Sequence, residues 1–174
     1  MTATLAKPAA DDYAPYYGRY IDQVPDGDVL RLLEDQIADT AQLLGDIAEE
    51  RAGHRYAPGK WSIKEVVGHL SDAERIFAYR ALRIARGDET PLPGFDQDPY
   101  VTAGNFDRRT LADLTAEFSS VRAATLTLFR GLDEEAFMRR GTASGVVFTV
   151  RALPYIIAGH ERHHVTILRQ KYLA

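Results

Sequence analysis

The chain has 174 residues, 45% of them hydrophobic and 26% charged, which is the size of one domain whose core needs no disulfide or structural metal as a staple. Lys and Arg number 21 against 25 Asp and Glu, and no segment concentrates basic residues, so nucleic-acid binding has little electrostatic support. Cysteine is absent, which excludes disulfide frameworks, Cys-ligated zinc, iron–sulfur clusters and a cysteine nucleophile.

No stretch approaches the roughly 18 consecutive apolar residues of a membrane helix. Residues Met1 to Lys7 lack the basic-then-apolar order of a signal peptide. The expectation is a cytoplasmic protein with no membrane partner.

Residues 1–26 are polar and punctuated by Pro8, Pro15 and Pro25, with tyrosines at positions 13, 16, 17 and 20. They read as an arm that packs on the domain, because four tyrosines bury much apolar area once they find a groove. The domain itself is expected to span 27–174. From Asp28 the pattern turns helical. Val29, Leu32, Leu33, Ile37, Leu43, Leu44 and Ile47 recur at three- and four-residue spacing, Asp26 or Asp28 can cap the start, and Gly53 closes the stretch.

A second helix begins at Ser62-Ile-Lys-Glu65, a capping-box pattern in which hydroxyl and carboxylate satisfy orphan backbone donors. Val66, Ala73, Ile76, Phe77 and Ile84 form its apolar stripe, with His69 near the edge and Gly87 placed as the residue after the cap. Residues 88–106 carry three prolines and two glycines and read as a long loop. A third helix is expected from about Arg109 to Arg130. In 132–148, Arg140 to Gly145 reads as a turn and Val146 to Val150 as a short extended piece. The last helix runs from about Val150 to Tyr172, with Pro154 tolerated in its first turn. Four amphipathic helices of this length predict an all-α four-helix bundle, and the two long connections permit crossovers and hence parallel neighbours.

The chemistry concentrates in Gly159-His-Glu-Arg-His-His164. His160 and His164 are four apart, so about 40° separates them around the helix axis. Both fall inside the arc centred on Leu153, Ile157, Ile167 and Leu168. His163 lies roughly 80° off that centre, at the rim. A third imidazole is available from His69. Three neutral histidines leave an open position for water or substrate, as in a catalytic rather than a structural zinc site. Imidazole equally suits nickel, copper or ferrous iron. The competing reading is a set of core histidines hydrogen-bonded to one another or lining a pocket.

Other residues carry plainer expectations. His54 reads as a loop residue, and Glu161, Asp72 and Glu74 as solvated helix positions, Glu161 with a supporting role to the ligands as its alternative. Trp61 reads as a staple at the helix entrance, with a pocket wall as its alternative, and Glu65 as a cap. Arg80 shares the stripe of His69 and can contact a substrate carboxylate; its plainer reading is a packed stem with a solvated head. No phosphate loop and no G-x-S-x-G elbow is present. His160 to His164 spells the letters of a zincin motif, but the ten residues after it hold no further ligand.

Two of these segments resemble one family. Gly59-Lys-Trp-Ser-Ile-Lys-Glu-Val-Val-Gly-His-Leu70 with Asp72-Ala-Glu-Arg75 resembles the second helix of the DinB/YfiT-like superfamily, and Gly159 to Leu168 resembles its last helix. Tyr13 to Asp28 and Arg80 to Asp88 are similar to it as well. The resemblance implies an up-down-down-up bundle and a divalent metal, nickel or zinc, held at His69, His160 and His164. It implies activity of the kind found in relatives. These include thiol S-transferases joining a low-molecular-weight thiol to an electrophile, a mycothiol-dependent isomerase, and members described as metal-dependent hydrolases or damage-inducible proteins. Relatives also form homodimers. Three readings follow: a metal-dependent thiol transferase, with a hydrolase as its neighbour; a non-catalytic, stress-related bundle that binds metal or a small molecule; or a dimerisation module with core histidines.

Overall fold

The computed structural model describes residues 5–174, so the first four residues of the expected arm, and most of the segment tested for a signal peptide, lie outside the described residues. In chain order the elements are a 3-10 turn running into α1 (Gly18–Ile21), α2 (Val29–Gly45), α3 (Ile63–Ala85), α4 (Gln97–Gly104) and α5 (Leu111–Arg130). There follow α6 (Glu134–Met138), β1 (Arg140–Ala143), β2 (Val146–Thr149) and α7 (Ala152–Ile167), the last prolonged by a π turn over Leu168–Tyr172. No helix among the described residues is long and apolar enough to cross a membrane.

Local chemistry sets the ends of the long helices. Asp28 accepts from the backbone N–H groups of Leu30 and Arg31 at 3.0 and 3.2 Å. Ser62 and Glu65 complete the capping box of α3 in both directions, at 3.0 and 2.8 Å. Thr110 caps α5 through Asp113. Gly87 follows α3 at φ +78°, the left-handed conformation that terminates helices.

The core falls into two apolar clusters that reveal helix polarity. One joins the start of α2 (Val29, Leu33), the ends of α3 and α5 (Phe77 to Ala85; Leu126, Phe129) and the start of α7 (Ala152 to Ala158). The other joins the end of α2 (Leu44), the starts of α3 and α5 (Ile63 to Leu70; Leu111 to Phe118) and the chain after α7 (Leu168, Tyr172). Helices α3 and α5 therefore run together and opposite to α2 and α7, which is up-down-down-up. Around the bundle, α5 packs between α2 and α3, and α7 closes the ring between the same two. The long connection from α3 to α5 is what this order requires, since no short loop joins parallel neighbours, and the one from α5 to α7 runs between helices on opposite sides of the ring.

Three expectations are corrected. Helix α2 stops at Gly45 instead of reaching Gly53, because Gly and Asp are poor helix residues and the Ile47 N–H closes back on Leu44. Ile47 keeps the apolar period by packing on the second cluster from outside the helix. The loop 88–106 contains α4, capped by Asp96; Pro99 sits in its first turn, where the missing N–H is harmless. Residues 140–143 are a strand, and only Ser144 and Gly145 turn, at φ +54° and +74°, between antiparallel β1 and β2. Gly141 misled as a turn signal. Its missing side chain makes room for Ile84, whose Cγ1 lies 2.5 Å from where a Cβ would stand.

Residues 5–26 pack along α7, from Arg151 to His163, and against the hairpin. Tyr20, Ile21 and Val24 are buried, and the Tyr17 ring meets Phe148 and Phe77 at 5.1 and 6.2 Å. Asp12 is 1% exposed, bound to Arg140 and Arg151 and to the Ala9 N–H. Burial pushes its carboxyl up, but those partners outweigh it and hold it below the usual range. At Gly159, α7 touches α1 so closely that a Cβ would stand 2.1 Å from the Tyr20 carbonyl oxygen. Gly159→Ala is expected to lift α1 off α7 and cost about 1–3 kcal/mol, read as a lower urea midpoint. A wild-type midpoint would mean the contact yields freely.

Candidate metal centre

Helices α3 and α7 pack side by side, which brings His69, two turns into α3, against His160 and His164 on the inward face of α7. One nitrogen from each of the three lies within 4.8 Å of the others. Ring centres are 5.0 Å apart for His69 with either partner and 4.6 Å for the α7 pair. The Nε2 atoms of His69 and His160 face each other at 3.1 Å. Two imidazole lone pairs at that distance need a proton or a cation between them. A tetrahedral cation with nitrogen ligands at 2.0–2.1 Å separates its ligands by about 3.3 Å, so the observed spacing fits a shared divalent ion.

The surroundings keep these rings neutral. Burial lowers His69 to about 4 and, together with its His69 and His163 neighbours, His164 to about 3. His160 is pushed well below its ordinary value by burial first, then by the other imidazoles. Neutral imidazole is the metal-binding form, so the cluster offers three lone pairs at neutral pH without proton release.

Neighbouring side chains divide into lid, wall and support. Of the two readings for Trp61, the structure favours the wall: its ring lies 4.8 Å from His69 and nearly parallel to His164 at 6.4 Å, so it covers the cluster. Tyr20 and Phe77 flank His160 at 5.4 and 6.1 Å. His163 stands at the rim against Tyr20, and His54 is exposed in a loop beside Tyr172; neither joins the cluster. Glu65 serves the capping box and pairs with Arg55. Asp72 stays part-exposed beside Arg75.

Glu161 and Glu74 overturn the expectation of solvated positions. They are 1% and 3% exposed, and both bind Arg122 of α5, itself fully buried. Arg122 makes two 2.8 Å bonds to Glu74, one to Glu161 and one to the Leu33 carbonyl. Thr40 and Gln36 of α2 donate to Glu161 at 2.6 and 3.3 Å. Burial opposes charge on Arg122, and the two carboxylates more than restore it. The network ties all four long helices together, and Glu74, Glu161 and His160 line the same small void. Periodicity placed Glu161 off the core arc, and nothing in its own helix announces a cation arriving from α5.

A pocket of about 370 Å³ opens beside His69 and His160, with Tyr17, Phe77, Phe95 and Arg80 on its walls. Arg80 is 2% exposed, so the reading of a solvated head is corrected. A larger pocket of about 660 Å³ between the arm, α2 and α6 contains none of the histidines.

The DinB superfamily model matches residues 32–168. Among curated proteins, OB0413 of Oceanobacillus iheyensis, named provisionally as a metal-dependent hydrolase, is 28% identical over 72 residues; the match spans 41% of each chain. Among solved structures, YfiT from Bacillus subtilis, described as a probable metal-dependent hydrolase with an unusual four-helix bundle topology, has a TM-score of 0.73 at 18% identity. That superposition covers 94% of this chain and 92% of YfiT. A mycothiol-dependent maleylpyruvate isomerase has a TM-score of 0.68 at 15% identity, covering 83% of this chain but only 61% of the isomerase. At these identities the two structures share the fold.

Proposed function

The chain belongs to the DinB superfamily, and from that premise we propose that it is a divalent-metal-dependent enzyme whose ion, nickel or zinc, is held by His69, His160 and His164. The observation that carries the reading is the convergence of three neutral, largely buried imidazoles within 4.8 Å. A bound divalent ion supplies Lewis acidity that lowers the pKa of a thiol or water in its open position.

Thiol transfer to an electrophile suits the surroundings best. Hydrolysis pairs acidified water with a side chain beside the ion that carries the proton to the leaving group. Among the described residues, Glu74 and Glu161 are committed to Arg122, and Asp96 on the pocket wall caps α4 through the Asp98 N–H. A thiol acidified by a bound ion would displace a halide without such a group, because the leaving halide needs no proton. The pocket beside His69 and His160 would admit the thiol, and Tyr17, Tyr20 and Phe77 on its walls would exclude water and orient the electrophile. The mycothiol dependence of one structural neighbour supports this reading. Hydrolysis is the second reading, supported by the names of OB0413 and YfiT.

The test pairs two assays on metal-loaded, untagged protein: loss of free thiol with an aryl halide, and ester cleavage without thiol. Thioether formation that His164→Ala reduces at least about a hundredfold is expected. Ester cleavage with no thiol consumption would replace transfer by hydrolysis. Inertness in both would leave a metal-binding bundle.

A further inference from the structure

Arg80 and Arg122 are both buried arginines of the bundle, and they are treated oppositely. Arg122 has two carboxylates in contact. Arg80 has none within ion-pairing distance among the described residues, although it is only 2% exposed. Its two hydrogen bonds both leave Nη2, to the Pro93 carbonyl at 3.1 Å and the Ser144 hydroxyl at 2.8 Å. These come from the loop before α4 and from the hairpin turn, and they fix the guanidinium plane. Nε and Nη1 donate to no carboxylate or carbonyl among the described residues, and the nearest polar side chain besides Ser144 is the neutral Tyr17 hydroxyl. A buried guanidinium cannot shed its charge and is costly without a counter-anion.

Arg80 lines the same pocket as His69 and His160. The Phe77 ring stands between the two ends, 6.1 Å from the His160 ring centre and 5.8 Å from the Arg80 guanidinium carbon, which bounds their separation at about 12 Å. The Tyr17 hydroxyl is a further neighbour of Arg80, which draws it down while burial pushes it up. Asp96 on the same wall is turned to the backbone of α4 and leaves the guanidinium unpaired.

We infer that Arg80 is the anion-binding end of this pocket, and that the molecule processed at the histidine cluster carries a carboxylate held by the Arg80 fork. Planar, two-point recognition of carboxylate is what a fixed guanidinium does best. Processing at the cluster rests on the reading of the histidines as a metal centre; binding of the acid does not. The carboxylate belongs either to the thiol or to its co-substrate, and zinc distinguishes the two.

The test is calorimetric titration of untagged protein with succinate, mercaptosuccinate and the neutral succinamide, first in chelator and then with zinc. In chelator both acids should bind saturably and succinamide should not. Arg80→Gln should weaken the acids about tenfold to hundredfold, Arg80→Lys less, and both should keep wild-type zinc stoichiometry. Zinc that tightens mercaptosuccinate alone assigns the carboxylate to the thiol; equal response of the two acids assigns it to the co-substrate. Acid affinity unchanged in Arg80→Gln, or succinamide binding as well as succinate to the wild type, overturns the inference. The second of these needs no variant to fold. A protein that binds no zinc but keeps Arg80-dependent acid binding loses the metal reading and retains this one.

Discussion

Arg122→Met is expected to lower the unfolding free energy by about 3–5 kcal/mol, the largest loss expected of any single change in the bundle. The side chain is fully buried and holds two carboxylates and the Leu33 carbonyl at 2.8 Å. Its removal leaves Glu74 and Glu161 buried side by side with no cation, so one must take a proton or the helices must part to admit water. Removing the charges together should be milder: Arg122→Met with Glu74→Gln and Glu161→Gln is expected to recover part of the loss. Equilibrium urea unfolding reads both. A midpoint in Arg122→Met within error of the wild type would show that water already reaches the network.

The metal-free protein should lose stability steeply in mild acid. Folding holds His69 at about 4 and pushes His160 well below its ordinary value, both through burial. In the unfolded chain the same rings titrate near 6.5. Stability from these groups is therefore complete above pH ~6.5 and declines as pH falls from there toward the folded values, by about 1.4 kcal/mol per pH unit for each ring that stays neutral in the fold. Asp12 works in the same direction only lower down, because its depressed carboxyl yields its contribution below pH ~4. Urea midpoints in chelator should therefore drop between pH 7 and pH 5, and His69→Phe should flatten part of that drop. A level profile over those two units would mean the rings are hydrated in the native state. Zinc at a thousandfold excess over its Kd should raise the whole curve by about 4 kcal/mol.

Much of this architecture was legible from spacing. The Ser62–Glu65 box, Asp28 before its helix and Gly87 after α3 each act locally, so their residue types alone fix helix ends. The two long connections permitted parallel neighbours, which α3 and α5 prove to be, while the up-down-down-up order itself came from the family resemblance. The inward direction of His160 and His164 followed from their place on the arc of Ile157 and Leu168, and His69 needed only a face on α3. What escaped was decided by another element. Glu74 and Glu161 look like solvent-facing acids until Arg122 arrives from α5. Arg80 reads as an edge residue until the Ser144 turn and Pro93 enclose it. Trp61 lies before its helix in sequence, and only the folded chain lays it on His69 and His164. Helix α4 is too short and too proline-marked for periodicity to declare.

Whether the three histidines share one divalent ion is read most directly by elemental analysis. Untagged wild type and His160→Ala would be dialysed without chelator against a mixture of nickel and zinc, then against metal-free buffer. The wild type should retain close to one ion per chain and the variant essentially none, with both giving the same helical circular dichroism. Wild type that returns metal-free from that dialysis, or His160→Ala that retains as much as the wild type, would contradict the shared ion and leave the histidines as core residues.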